Sequence, residues 1–174
     1  MQELIAKIEQ WAHERNIING SKPIDQAMKL FSEFGELADN VGKGRDCRDD
    51  IGDVFVVLTI IAKQLGGSII DFEKPYLNEI SNIKDEIAWL GYGLTSEMVT
   101  DSETGRFSPD FGCEVARLEL IANHFNYTLE ECVQIAYDDI KGRHGYMKNG
   151  IFIKLSDMTS DDRNEYEKSI NDRS

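Results

Sequence analysis

The chain has 174 residues, of which 41% are hydrophobic, enough for one domain with its own core and too little for two independent domains. Its formal net charge of -13 argues against nucleic acids and anionic membranes as partners, because such a surface repels polyanions. Small phosphorylated ligands remain compatible with this charge when a divalent cation neutralises both sides.

The sequence also lacks the marks of export and of a membrane span. It begins Met1–Glu3, with an acid where a signal peptide has basic residues, and its longest uncharged apolar run, 54–62, is about half the length of a membrane-spanning helix. Cys47, Cys113 and Cys132 are odd in number and widely spaced, which is typical of reduced thiols. We therefore expect a cytoplasmic protein.

Apolar residues recur at helical spacing along the first part of the chain, in stretches separated by glycine, asparagine or proline. The spacing predicts a first helix ending near Asn16 and a second from Pro23 to the stop at Gly42–Gly44. A third helix is predicted from around 46–50 to Gly66–Gly67. It is apolar on nearly every side, which predicts a central, buried helix.

The remainder of the chain follows the same spacing less regularly. A fourth element is predicted roughly over 72–98, with a polar loop over 100–107 after it. A fifth helix is predicted from Ser108 to about Asn126. The capping box Thr128–Glu131 predicts the start of a sixth.

The chain after the sixth helix is predicted to be irregular, with a short extended tail at 150–153 and a flexible C-terminal tail over 156–174. These elements predict an all-α fold in one domain over 1–155. Its architecture would be a bundle of five or six helices around a four-helix core.

The segment that begins at Asp50 is echoed, without gaps, by the segment that begins at Asp110. The recurring positions are Asp50, Gly52, Leu58, Ile61 and Ala62, which match Asp110, Gly112, Leu118, Ile121 and Ala122. Because helices share apolar spacing by chance, the sequence leaves open whether 72–107 is an insertion or part of a degenerate second copy. In a true duplication the second copy has Cys113 where the first has Asp53, so one copy would be catalytic and the other structural.

Two pairs of carboxylates lie at helical spacing on neighbouring predicted helices. Glu33 and Glu36 belong to the second helix, and Asp50 and Asp53 belong to the third. Both pairs extend apolar stripes, and unpaired ionised carboxylates are costly in an interior. A divalent cation with oxygen ligands removes that cost, and Mg²⁺ is the usual ion where phosphates complete its coordination. The alternative for either pair alone is a set of surface acids that pair with lysines or stabilise a helix dipole.

The pattern Glu33-x-x-Glu36, thirteen residues, Asp50-x-x-Asp53 resembles the E-x-x-E…E-x-x-D signature of the MazG-like all-α NTP pyrophosphatases. Segment 128–154 is similar to the C-terminal block of the phage-type members. The matching residues are Ala136, Tyr137, Ile140, Lys141, Arg143, Gly145, Met147, Asn149, Gly150, Phe152 and Lys154. Asp50 departs from the pattern, since the family usually has Glu there, and 72–107 is an insertion relative to the shortest members.

The resemblance implies a metal-dependent nucleotide pyrophosphohydrolase, which converts a nucleoside triphosphate into a monophosphate and pyrophosphate. The implied catalytic and metal-binding acids are Glu33, Glu36, Asp50 and Asp53, with Mg²⁺ as the cofactor and Mn²⁺ as a substitute. Glu36 is the residue expected to orient the attacking water. The resemblance also implies a homo-oligomer, either a dimer or a tetramer.

Four cations are candidate phosphate contacts. Lys141, Arg143 and Lys148 cluster at and beyond the end of the sixth helix, and Lys29 shares the stripe of the first acid pair. The first three have an alternative as an ordinary C-capping cluster. Lys29 has an alternative as the ion-pair partner of Glu33, four residues away.

Trp11 and Gln26 are the candidate contacts for the base, Trp11 through the face of its ring. The alternative for Trp11 is a place in the core. Two other functions remain open: hydrolysis of a guanosine alarmone at the same site, and an acidic helical module that binds a partner without catalysis. Binding of a divalent metal would separate the module from the enzymes.

Overall fold

The computed structural model describes residues 1–77, 81–99 and 107–171, and within these ranges the chain is mostly helical. Its helices are α1 (Gln2–Glu14), α2 (Ile17–Gly20), α3 (Pro23–Lys43), α4 (Arg48–Gln64), α5 (Ile83–Glu97), α6 (Gly112–His124), α7 (Leu129–Ile140) and α8 (Ser160–Asn171). Short 3-10 helices lie at Ile69–Asp71 and Leu155–Asp157, and the strands β1 (Gly145–Lys148) and β2 (Ile151–Lys154) form an antiparallel hairpin. None of the helices in the described part is long and apolar enough to cross a membrane.

Helix α4 is the centre of the core. Every residue from Val54 to Ala62 is buried, which confirms the sequence-based prediction of a central helix. Helices α3 and α7 pack against α4 most extensively, and α1 and α6 also contact it. Gly52 allows the close approach of α7, because a Cβ atom there would overlap the carbonyl oxygen of Cys132 and lie 2.7 Å from the Cβ of Ala136.

Local capping signals explain why several helix ends agree with the sequence. Pro23 occupies the first turn of α3, and Gly44 ends that helix with a left-handed φ of 65° that favours glycine. Thr128 and Glu131 form the expected capping box of α7: the Glu131 amide donates to Thr128 Oγ1 (3.2 Å) and the Thr128 amide donates to Glu131 Oε2 (2.7 Å).

The fourth and fifth elements are shorter than the spacing predicts. Helix α5 begins only at Ile83, where the side chain of Asn82 accepts a hydrogen bond from the Lys84 amide (3.1 Å). Helix α6 begins at Gly112, whose amide donates to Asp110 Oδ1 (3.0 Å). Such side-chain acceptors set a helix start more sharply than apolar spacing does. Nearly all of the loop predicted over 100–107 lies outside the described residues.

The two echoed segments become α4 and α6. Each packs against the helix that precedes it, α3 for the first and α5 for the second. The second copy has Cys113 at the position of Asp53. The next residue, Glu114, is buried, and its Oε2 has no hydrogen-bond partner among the described residues. The duplication itself stays a prediction.

The extended conformation predicted at 150–153 is confirmed for Ile151–Ile153, which belong to β2, but the pairing of β2 with β1 in a hairpin was not predicted. The fold is therefore not strictly all-α. Residues Asn149 and Gly150 connect the strands, both with positive φ (52° and 80°). Consecutive residues with positive φ form the two-residue turn that matches the twist of a hairpin, and Asn-Gly is its preferred sequence.

Within the tail predicted over 156–174, Ser160–Asn171 forms α8, and 172–174 lie outside the described residues. The carboxylate of Asp162 begins this helix by accepting from the amide (3.0 Å) and the hydroxyl (2.6 Å) of Thr159. It also accepts from Lys148 Nζ (2.8 Å) and the Tyr146 hydroxyl (3.1 Å) of β1. These bonds lower the pKa of Asp162 and attach α8 to the hairpin.

Candidate functional site

A cavity of about 490 Å³ opens between α1, α3, α4 and the hairpin, a volume that suits a small-molecule ligand. Its apolar lining includes Trp11, Ile17, Met28, Val56, Val57, Ile60, Ile140, Ile151 and Phe152. Its charged lining consists of Asp25, Lys29, Glu33, Asp53, Arg143, Lys154 and Asp157. A ligand with one apolar and one charged part would match this composition.

One acid from each predicted pair lines the cavity. Glu33 is buried on α3, and Asp53 is half-buried on α4. Burial raises the pKa of Asp53 from 3.8 to about 7, with further contributions from the negative charges of Glu33 and Asp49. Lys29 and Arg143 oppose this shift. The structure thus brings two of the four predicted acids together, at a place where a second negative charge is costly.

The other two predicted acids lie outside the cavity lining. Glu36 is exposed and lines a separate shallow depression. Asp50 is half-buried, and its Oδ2 accepts a hydrogen bond from Asn40 Nδ2 (2.7 Å). Burial raises the pKa of Asp50, Asn40 opposes the shift, and Asp49, Glu36 and Glu33 add to it. Glu33 therefore interacts electrostatically with both Asp50 and Asp53, although the four acids do not face one cavity. Glu36 does not line this cavity, and its role in orienting the attacking water stays a prediction.

The described side chains contain no group of three or more His, Cys, Asp or Glu residues arranged to hold a metal ion. Two of the four predicted ligands are engaged by protein donors instead: Lys29 forms an ion pair with Glu33, and Asn40 binds Asp50. The chemistry of the donors nevertheless fits Mg²⁺, which prefers carboxylate oxygens. The pKa of Asp53 is raised first by burial and then by the negative charges of Glu33 and Asp49, and a bound cation would oppose both effects. Binding through all four acids requires Lys29 and Asn40 to release their partners.

The raised pKa of Asp53 predicts how the stability of the metal-free protein depends on pH. The folded-state pKa, about 7, exceeds the ordinary 3.8, so the folded state loses stability relative to the unfolded state as pH rises from about 4 to about 7. We expect the melting temperature in a chelator to fall by several degrees between about pH 5 and pH 8. Asp53→Asn should flatten that curve. Parallel curves for the two proteins would contradict the assignment.

Two of the predicted phosphate contacts line the cavity. Lys29 projects from α3, where it is paired with Glu33, and Arg143 follows α7, where it is paired with Asp139. Both are close enough to Asp53 to act on its pKa. Lys29 therefore forms the predicted ion pair with Glu33 and also lines the cavity.

The other two predicted contacts, Lys141 and Lys148, do not line the cavity, and phosphate binding by them stays a prediction. Lys141 Nζ binds Asp138 Oδ1 (2.6 Å) on the surface of α7. Lys148 Nζ binds Asp162 (2.8 Å) and Glu165 (3.0 Å) of α8. Lys148 thus connects the hairpin to α8 through these two ion pairs.

Trp11 and Gln26, the predicted base contacts, are both buried and both line the cavity. Trp11 contacts Phe152 of β2 edge to face, with 6.2 Å between ring centroids, and its indole nitrogen has no hydrogen-bond partner among the described residues. The wall formed by Trp11 and Phe152 is aromatic, which suits a flat ring in the ligand. Phe152 was recognised in the sequence only as part of the C-terminal block.

A chain of hydrogen bonds fixes the orientation of the Gln26 amide. The Ser21 hydroxyl donates to the Ile17 carbonyl (2.7 Å), so its oxygen can only accept from Gln26 Nε2 (2.9 Å). None of the described residues donates to Gln26 Oε1. The cavity therefore carries a hydrogen-bond acceptor in a fixed orientation.

Arg15 is a residue at this site that sequence reasoning missed. Its guanidinium lies over the Trp11 ring, 5.0 Å from the centroid. Its Nε donates to the Arg143 carbonyl (2.6 Å) and its Nη2 to the Lys141 carbonyl (3.0 Å). Arg15 thus connects the aromatic wall to the turn that carries Arg143. Arg15 and Arg143 are far apart in the chain, so no local spacing pattern predicts that they are in contact.

Comparison with known proteins adds a relative from a bacteriophage. Over 159 aligned residues the chain is 35% identical to a protein of Haemophilus phage HP1 (strain HP1c1) described as an uncharacterized 18.2 kDa protein in the rep-hol intergenic region. The match covers 78% of this chain and 97% of the phage protein, so the similarity is not confined to one motif. No family model matches the chain, and no solved structure matches it.

Proposed function

This chain belongs to the same protein family as the Haemophilus phage HP1 protein, and we propose that it is a metal-dependent nucleotide pyrophosphohydrolase of the MazG-like kind. It would hydrolyse a nucleoside or deoxynucleoside triphosphate to the monophosphate and pyrophosphate, in the cytoplasm. One observation carries the proposal. Glu33 and Asp53, one from each acid pair of the signature, meet at a cavity that also has an aromatic wall and three cations.

The composition of the cavity supports separate binding sites for the base and for the phosphates of a nucleotide. Trp11 and Phe152 would bind the base, and the fixed acceptor of Gln26 would contact a donor on its edge. Lys29 and Arg143 would bind phosphate oxygens. A nucleotide has a base at one end and charged phosphates at the other, so it matches the apolar and the charged parts of the cavity lining.

The carboxylates are the proposed ligands of the cofactor. Glu33, Glu36, Asp50 and Asp53 would hold Mg²⁺, with Mn²⁺ as a substitute, once Lys29 and Asn40 release the acids that they bind. The bound metal would supply charge neutralisation at the phosphates and a more acidic water. Lys29 would then be free to bind the substrate, so metal binding and phosphate binding would favour each other.

The proposed reaction is displacement at the α-phosphorus. A water oxygen forms a bond to this phosphorus, and the bond from the phosphorus to the oxygen bridging the α- and β-phosphates breaks. The electron pair of that bond leaves with pyrophosphate. The water proton would pass to a carboxylate oxygen that does not bind the metal, and Glu33 and Asp53 are the proposed acceptors because both line the cavity.

The experiment that tests the proposal is a product analysis over a panel of nucleoside triphosphates, deoxynucleoside triphosphates and a guanosine alarmone, with Mg²⁺ and with a chelator. We expect one or more triphosphates to yield monophosphate and pyrophosphate only when metal is present. Preferential cleavage of the alarmone would keep the chemistry and change the substrate. If no nucleotide is cut and Mg²⁺ leaves the melting temperature unchanged, the proposal fails, and an acidic helical binding module replaces it.

A homo-oligomer, either a dimer or a tetramer, is part of the same proposal. Trp89 and Tyr92 on α5 stack edge to face with 6.0 Å between centroids, yet they are 55% and 68% exposed. Aromatic residues exposed together support burial against a partner. Light scattering on the purified protein would give a mass above 19.8 kDa if this is right and that mass if it is wrong.

A further inference from the structure

Three cations line the cavity, and they differ in what they bind. Lys29 is paired with Glu33, and Arg143 is paired with Asp139. Lys154, from β2, forms no ion pair or side-chain hydrogen bond with any of the described residues. It is therefore the cavity-lining cation that the described part of the chain leaves available.

Lys154 differs in burial from the other described cations that have no ion pair. The other described lysines and arginines without an ion pair are all exposed to solvent, namely Lys22, Lys84, Arg163 and Lys168, whereas Lys154 is half-buried. The chain has 32 acidic against 19 basic residues, so a carboxylate partner is seldom far from a cation. Lys154 is therefore partly covered at the cavity without an acidic partner among the described residues, and an anionic ligand in the cavity would supply one.

The hairpin fixes the position of Lys154. Lys154 is paired with Gly145 in the ladder, and the Leu155 amide after it donates to the His144 carbonyl (3.0 Å). Residues 152 and 154 are two apart on one strand, so their side chains project from the same face, and both line the cavity. Lys154 therefore lies beside the aromatic wall, at a distance of roughly 7 Å along the strand.

We propose that Lys154 binds a phosphate group of the nucleotide, an inference that rests on the proposed function above. If the base packs against Phe152, the ammonium group of Lys154, two residues further along β2, would contact the phosphates rather than the base. Lys154 would thus do what the sequence analysis assigned to Lys141 and Lys148, whose ammonium groups are bound by Asp138 and Asp162. It would contact substrate directly.

The test compares Lys154→Gln, Lys154→Arg and Lys84→Gln in the full chain with Mg²⁺. Lys84→Gln is the matched control, because it removes the same charge from an exposed lysine on α5. Calorimetry measures binding of inorganic tripolyphosphate, and steady-state kinetics measures KM and kcat for the preferred nucleotide. We expect Lys154→Gln to weaken tripolyphosphate binding and raise KM by about tenfold or more, with a smaller change in kcat. Lys154→Arg should restore most of the affinity, and Lys84→Gln should stay within about twofold of the native protein.

Melting temperatures identify any variant that is misfolded. If Lys154→Gln folds and binds tripolyphosphate as tightly as Lys84→Gln does, the inference is overturned even when the enzyme is active. If the native protein cleaves no nucleotide, the proposed reaction fails, but a specific loss of tripolyphosphate binding in Lys154→Gln still supports the anion site. If the native protein binds no tripolyphosphate at all, the inference about Lys154 is overturned too.

Discussion

Asp53→Asn is expected to lower kcat/KM for the preferred nucleotide by at least about 100-fold, and Glu33→Gln should do the same. Substitution of a residue that hydrogen-bonds to a metal ligand typically lowers metal affinity or activity by about 10- to 100-fold. Loss of a proposed ligand itself should lower activity more. Both substitutions keep the shape of the side chain while removing its charge. Because Asp53 is destabilising when ionised, the metal-free Asp53→Asn protein should melt at the same temperature as the native protein or higher.

Asp85→Asn is the matched control for these acids, since Asp85 is an exposed carboxylate in the first turn of α5. It should leave kcat/KM within about twofold of the native value. The double variant Glu33→Gln with Asp53→Asn should be little worse than either single variant, because residues that act as a unit are not additive. Full activity in a folded Asp53→Asn protein would contradict the proposed site.

Gly52→Ala is expected to cause a large loss of stability for the addition of a single methyl group. The new Cβ would overlap the carbonyl oxygen of Cys132, which is backbone and cannot rotate away, and would lie 2.7 Å from the Cβ of Ala136. Helices α4 and α7 would have to separate along their contact in the core. We expect the free energy of unfolding to fall by about 3 kcal/mol or more.

Gly42→Ala is the control for this substitution, because a Cβ at Gly42 in α3 meets nothing within 4 Å. Alanine is the better helix former, so this variant should be unchanged or more stable by about 0.5–1 kcal/mol. Denaturant unfolding followed by circular dichroism measures both variants. Equal midpoints for Gly52→Ala and Gly42→Ala would show that α4 and α7 are not in the contact described.

The parts of the fold that sequence predicts well are those with a local cause. Pro23 and Gly44 bound α3, and Thr128 with Glu131 begins α7, because each of these residues acts on the backbone beside it. Helix α8 was missed because it is mostly polar, and Asp162 ties it to the chain through contacts with β1, which are distant in sequence. The Asn149–Gly150 turn is a local signal that the sequence analysis could have used to predict the hairpin.

The candidate site shows the same limit. Residues at i and i+3 lie about 60° apart around a helix, so the pairing of Glu33 with Glu36 was visible in the sequence, but which of the two faces the interior was not. In the structure Glu33 is 5% exposed and lines the cavity, whereas Glu36 is exposed. Likewise, Lys148 and Lys154 look equivalent in sequence. In the structure Lys148 is paired with Asp162 of α8, whereas Lys154 lines the cavity.

The most direct test of the proposed reaction is hydrolysis in ¹⁸O-labelled water with Mg²⁺, followed by mass spectrometry of the products. Attack at the α-phosphorus places one labelled oxygen in the nucleoside monophosphate and leaves pyrophosphate unlabelled. That result is the one we expect. Label in pyrophosphate, release of orthophosphate as the first product, or no hydrolysis by a folded protein supplied with metal would contradict the proposal.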